Sequence, residues 1–242
     1  TILNLAVRGK LLPQDVGPHD QARRGSFARR AEREAFEIPS SWRWVTLSEL
    51  GTLRGGGTPS KARPDFWDGP IPWVSPKDMK RDYLDSAQMS VTASALAGSA
   101  ASLIPSGSVL FVVRGMILAH SFPVGISMVP LTINQDMKAL VLAAPEQGEY
   151  LLRALKGLKP YMLKRVQRSS HGTCRLEASD YTAFAVPIPP LAEQHQIVAK
   201  VDELMGLCDQ LEASLMVGES TRSSLLDALL HEALEPSATV DA

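Results

Sequence analysis

Six apolar residues near the carboxyl end recur in a rhythm that narrows what this chain can fold into more than any other feature. Ile197, Val201, Leu204, Cys208, Leu211 and Leu215 are separated by 4, 3, 4, 3 and 4 residues, and beyond Gly218 the stripe resumes at Leu225 and Leu229. That spacing keeps one narrow face of an α-helix apolar, and it predicts a long coiled-coil-like helix. Burying a leucine side chain is worth roughly 1.5–3 kcal/mol, so such a seam must find another helix. Either it folds back on the rest of the chain, or it pairs with an equivalent helix from a second chain or from another half of a longer protein. The narrow, heptad-like seam favours pairing with such an equivalent helix over folding back on the body. Cys208 on that seam is expected to be a small buried apolar residue rather than a reactive thiol.

Charge divides the 242 residues into three segments. Residues 1–41 hold 7 Lys/Arg against 5 Asp/Glu, residues 42–190 hold 16 against 11, and residues 191–242 hold 2 against 10. The overall charge of -1 therefore hides a basic middle and an acidic tail. Clustered cations gain free energy by displacing counterions from a polyanion, so the middle suits nucleic acid and the tail suits protein; a solvated surface is the plainer alternative. Two cysteines, Cys174 and Cys208, cannot make a disulfide scaffold or a four-ligand zinc cluster, and they fit a reducing compartment. With no long apolar run and no basic-then-apolar amino terminus, the expectation is a cytoplasmic chain with no membrane partner.

The punctuation of the sequence predicts a short N-terminal helix and linker over 1–41, a mixed α/β body over 42–190 and a helical spacer over 191–242. Ile2, Leu3, Leu5, Ala6 and Val7 form the first short helix, ending near Gly9. The polar stretch after Pro13 reads as linker, with a short helix of alternating Arg and Glu over 27–36. Short apolar runs at 44–47, 71–74, 108–113 and 139–143 lie between recurrent turn formers and predict strands. Leu151, Leu152, Leu155 and Leu158 predict a helix over 148–166. The proline-rich run 186–190 reads as an extended connector to the long helix.

Four stretches then carry a resemblance through nearly the whole chain. They are residues 4–15 (NLAVRGKLLPQD); 38–44 (IPSSWRW); 55–60 (GGGTPS) with 66–73 (FWDGPIPW) and 77–79 (KDM); and 188–194 (IPPLAEQ) running into 197–204 (IVAKVDEL). In these the chain resembles the DNA-specificity subunits of type I restriction-modification systems. The resemblance implies one target-recognition domain and one helical spacer where the family usually carries two of each, hence a half-length subunit or half of a longer one. It further implies sequence-specific binding of double-stranded DNA at a bipartite site, pairing as a homodimer through the long helix in an antiparallel coiled-coil-like pair, and docking to separate methylation and restriction subunits. Catalysis would reside on those partners, with S-adenosylmethionine on the methylation subunit and no cofactor, metal or catalytic residue in this chain.

Candidate DNA contacts fall in four places. Gly56 and Gly57, with Thr58 and Ser60, form a glycine-opened loop where backbone N–H groups could approach phosphate; a tight turn without ligand is the alternative. Lys159, Lys164, Arg165, Arg168 and Arg175, with Ser170, His171 and Thr173 between them, lie in a stretch without acidic residues from 150 to 176. Such a strip suits phosphate tracking, and its polar loop suits base or backbone contact. Arg114 follows a strongly apolar strand, so it must emerge at an edge or meet an acid such as Asp136. Lys77 and Lys80 form a smaller basic group beside Asp78.

Enzymatic alternatives are weaker. Asp65, Asp78 and Lys80 match the spacing of a magnesium-dependent nuclease, but Pro76 places the second acid in a turn rather than on a buried strand. His171 and Cys174 offer two zinc ligands without a second pair. A helix-mediated assembly module that binds no DNA is the remaining alternative.

Overall fold

The computed structural model describes residues 2–13, 36–169 and 172–234, and of these only the backbone at 232 and 233. The helix expected over 27–36 lies almost wholly outside the described residues. Short buried strands build the body. Val109, Leu110, Phe111 and Val112 form β6, buried throughout, between two antiparallel neighbours, β7 (Val124–Ser127) and β9 (Met137–Leu142). A strand covered on both faces reads as a continuous apolar run, which is how this one stands in the sequence. The sheet is completed by β2 (Gly51–Gly55), antiparallel to β9, and by β4 (Tyr83–Leu84), parallel to β7, giving the order β2-β9-β6-β7-β4. A second sheet has β3 (Trp67–Val74) between β5 (Met89–Val91) and β8 (Thr132–Ile133). Phe66, Trp73, Val91 and Ala95 form its apolar cluster.

Two further pairs complete the strands. β1 (Arg43–Thr46) lies antiparallel to β12 (Ala185–Ile188), and β10 (Gln167–Arg168) to β11 (Cys174–Arg175). The proline-rich run is extended, as expected, but it is also paired: Pro187 sits opposite Trp44 on the two-stranded ladder.

The helix expected over 148–166 is two helices. α4 (Gly148–Gly157) buries Tyr150, Leu151, Leu152, Ala154 and Leu155, and a short α5 (Lys159–Leu163) begins anew after Leu158. Pro160 in the first turn of α5 has no N–H to donate back into α4, so the ladder breaks there. The N-terminal α1 (Ile2–Val7) buries Ala6 and Val7, and beyond it Arg8 donates to the Tyr161 hydroxyl at 3.0 Å. A Cβ added at Gly157 would lie 2.5 Å from the Leu3 carbonyl oxygen, so the absence of a side chain lets the two helices meet. Smaller helices, α2 (Leu47–Leu50), α3 (Ala93–Gly98) and α6 (Ala178–Thr182), connect strands.

The chain divides into two compact units, Thr1–Ala199 and Lys200–Ala242. The last helix, α7 (Leu191–Leu234), starts in the first unit and supplies every described residue of the second. Its first turns are fixed within the first unit: Trp42 Nε1 donates to Glu193 at 3.0 Å and the buried Gln194 donates to the Pro189 carbonyl at 3.0 Å. Among the described residues no helix is long and apolar enough to cross a membrane.

Candidate nucleic-acid interface

The carboxyl end of β6 continues past Val112 as an extended edge. Val113 and Arg114 donate their backbone N–H groups to the Asp136 carbonyl at 2.8 and 3.1 Å. Leu176 donates to Val113 at 2.8 Å, and Gly115 donates to Cys174 at 2.9 Å. These bonds seat β11 beside the edge with Arg114 opposite Arg175 in an antiparallel bridge. On its other side Arg175 stands opposite Gln167 of β10. Opposed residues on antiparallel strands project from one face. Gln167, Arg175 and Arg114 therefore form a row across three strands, while Val113, Cys174 and Leu176 turn inward and are buried.

Two like charges directly opposite repel, and each here has an acid beside it. Arg114 lies 3.8 Å from Asp136, and Arg175 lies 2.8 Å from Glu177. Both guanidiniums stay open to solvent, with side chains 56% and 52% exposed. The two readings of Arg114, ion pair and outward contact, are thus compatible. Exposed pairs of this kind contribute about 0–1 kcal/mol, so their carboxylates can be exchanged for another acceptor at little cost.

The glycine loop arrives next to the same edge, for a reason other than the one expected. A Cβ at Gly56 would overlap the Ile133 carbonyl, and one at Gly57 would lie 2.5 Å from the Ala100 carbonyl oxygen. The Gly57 N–H is already donated to Ile133 at 3.0 Å, and its carbonyl accepts from Trp73 Nε1 at 2.9 Å. Gly56 and Gly57 are therefore corrected from phosphate cradle to internal packing: the surface they touch is the protein's own backbone. Thr58, exposed, bonds Gln135, one residue from Asp136. Ser60 is exposed at the loop's far end, its hydroxyl accepting from the Ala62 N–H at 3.3 Å.

The basic strip separates into unlike members. Arg165 is a structural residue: it donates to the Asp180 carbonyl at 2.5 Å and lies 4.9 Å over the Phe184 ring. Lys156, beside the strip, pairs with Asp82. Lys164 is exposed and lies 5.7 Å from the Tyr161 ring centre; Lys159 is half-buried at the start of α5. Arg168 and Thr173 flank the β10–β11 turn, where Arg168 Nε donates to Gly172 at 3.4 Å and the Thr173 N–H to Ser169 at 3.2 Å. Ser170 and His171 lie outside the described residues.

Lys77 and Lys80 are exposed on a turn organised by Asp78, whose carboxylate accepts from Ser75 N–H and hydroxyl (2.9 and 2.8 Å) and from Gln88 N–H (2.8 Å). Asp65 is held by Arg63 through two bonds of 2.8 and 2.7 Å, which keep its carboxyl below the ordinary carboxylate range. Both acids of the nuclease pattern thus have their oxygens engaged by neighbouring donors. Among the described residues no group of three His, Cys, Asp or Glu side chains converges as a metal site.

The helical seam is covered at its start only. Ile197 and Val201 are buried. Leu204 is half-buried, and Cys208, expected to be buried, is exposed. Leu211, Leu215, Leu225 and Leu229 are 60–71% exposed.

Gln167 escaped the sequence reading because an alternation carried by a two-residue strand is too short to register as a pattern. The row exists only through the bridge between Arg175 and Arg114, about sixty residues earlier in the chain.

Comparison with known proteins agrees with this architecture. A family model described as the type I restriction modification DNA specificity domain matches residues 39–216. The EcoR124I/EcoR124II specificity subunit of Escherichia coli is 35% identical over 173 residues, covering 71% of this chain and 43% of that protein. The MjaIX specificity subunit of Methanocaldococcus jannaschii is 29% identical over 177 residues, covering 70% and 39%. The chain therefore spans less than half the length of these curated relatives. Among solved structures, the HsdS subunit of Thermoanaerobacter tengcongensis superposes with a TM-score of 0.59 at 20% identity, covering 88% of this chain and 44% of that one. A chain from work on complex assembly and conformational transition of the type I R-M system gives 0.64 at 22%, covering 96% and 51%. Those two likenesses speak to fold, a mixed α/β body followed by a long helix. With the family model covering most of its length, this chain belongs to the type I restriction modification DNA specificity domain family.

Proposed function

We propose that this chain is the DNA-reading part of a type I restriction-modification assembly, a non-catalytic module that directs methylation and cleavage by partner subunits to a bipartite site. The observation that carries the reading is the convergence, in a member of this family, of Thr58, Arg114 and Arg175 from three separate segments onto neighbouring positions of one edge. Lys77, Lys80, Lys159 and Lys164 supply sequence-blind attraction to phosphate. The exposed part of the α7 seam pairs with a second copy or with the other half of a longer subunit, and the acidic tail faces the methylation and restriction subunits. S-adenosylmethionine belongs to the methylation subunit, and this chain holds no cofactor.

Fluorescence anisotropy on duplex DNA, titrated with salt, tests this. Affinity should fall steeply as salt rises, and Lys159→Ala should weaken binding to every duplex alike while lowering the slope of log K against log salt by about 1. Magnesium-dependent cleavage by the purified chain would instead support a nuclease. An absence of binding at low salt would support an assembly module.

A further inference from the structure

The row on the β-sheet edge differs from the scattered lysines in being fixed. Gln167 stands opposite Arg175 on the short β10–β11 ladder and Arg175 opposite Arg114 in an isolated antiparallel bridge just past β6, so backbone pairing sets where the three side chains leave the protein. Neighbouring strands lie about 4.8 Å apart, so the three side chains leave the protein along a line of roughly 10 Å. That matches about three base steps at about 3.4 Å each. A two-stranded ribbon such as β10–β11 is also of a size that the major groove, about 12 Å wide, admits. The residue types complete the match: Arg bonds guanine O6 and N7 with two parallel donors, and Gln bonds adenine N6 and N7.

We infer that Gln167, Arg175 and Arg114 form a reading row that recognises purines by their major-groove edges, each arginine taking a guanine and the glutamine an adenine within one run of about four base pairs. This rests on the DNA-reading function proposed above and names the residues and base class through which it acts. Asp136 and Glu177 have a defined part. Each gives one guanidinium a carboxylate partner while no DNA is bound. A guanine edge then presents two acceptors in place of a carboxylate's, so recognition is an exchange of acceptor rather than the capture of a disordered side chain. Met116, more than half exposed two residues beyond Arg114, adds an apolar surface suited to a thymine methyl beside the run.

The test starts from a pool of short duplexes with a randomised centre, from which the full chain selects its preferred sequence. Binding to that duplex is then compared with duplexes changed one base pair at a time, for the wild type and for Gln167→Ala, Arg114→Ala, Arg175→Ala and Arg175→Lys. Each alanine variant should lose on the order of ten- to a hundred-fold of the preference at one base pair and keep it at the others. Arg175→Lys keeps the charge but not the two-pronged donor, so it should lose the same preference. Replacing the purine at that base pair by its analogue with carbon in place of N7 should weaken the wild type and leave the matching variant unaffected. Losses that are equal at every base pair, or an N7 analogue that costs variant and wild type the same, would overturn the row while leaving DNA reading intact. A wild-type chain that selects nothing from the pool would overturn both.

Discussion

Tyr150 donates its hydroxyl to the Pro187 carbonyl at 2.6 Å from inside the body, and burial first, then the negative charge of Glu193, pushes its ionisation well above the ordinary value of about 10. The phenol is neutral in folded and unfolded chains below that value. As pH rises past it, the unfolded phenol ionises while the folded one does not, so the unfolded state gains and stability falls. Chemical denaturation should show a loss of stability from about pH 10 upward that is smaller in Tyr150→Phe, where the raised Tyr83 and Tyr181 still contribute, the variant being about 1 kcal/mol less stable at neutral pH for want of the bond. Single residues were legible in the sequence to unequal degrees. Arg114 could be placed at an edge beside Asp136, because an unpaired charge cannot follow a buried strand inward. Gly56 and Gly57 could not be interpreted, because a glycine needed for a ligand and a glycine needed for the protein's own backbone look alike until the Ile133 and Ala100 carbonyls are in place.

At the scale of elements, periodicity announced the central strands and the long helix, whose side-chain repeats run far enough to be counted. Pro160 separates α4 from α5, which the leucine spacing predicts as one helix, because a missing N–H is absolute and a propensity is not. Pairing between elements was not legible. That α1 docks on α4 depends on the bare backbone at Gly157, and Gly157→Ala tests it. The added methyl meets the backbone of Leu3, which cannot swing aside as a side chain would. The variant should be destabilised by about 1–3 kcal/mol, read as a lower thermal midpoint, and proteases should cut its amino-terminal segment faster while the central sheet stays resistant.

For the whole chain, the exposed leucines of α7 make association the main prediction. Light scattering should find the chain self-associated, and Leu211→Asp with Leu215→Asp should return it to a single copy with its helical circular dichroism retained for the body. Monomeric wild type at high concentration would argue that the seam waits for a different protein. The division of charge between a basic body and an acidic tail was fully legible, since it needs only counting. The alternation along the edge of Arg114 and Arg175 bears on how such a surface diversifies. Val113, Cys174 and Leu176 serve the interior, while Arg114, Arg175 and Gln167 on the alternate positions serve none of it. Evolution can therefore rewrite the outward residues without disturbing the inward ones, so that, on the proposed DNA-reading role, a lineage can trade one target for another while its architecture stays intact.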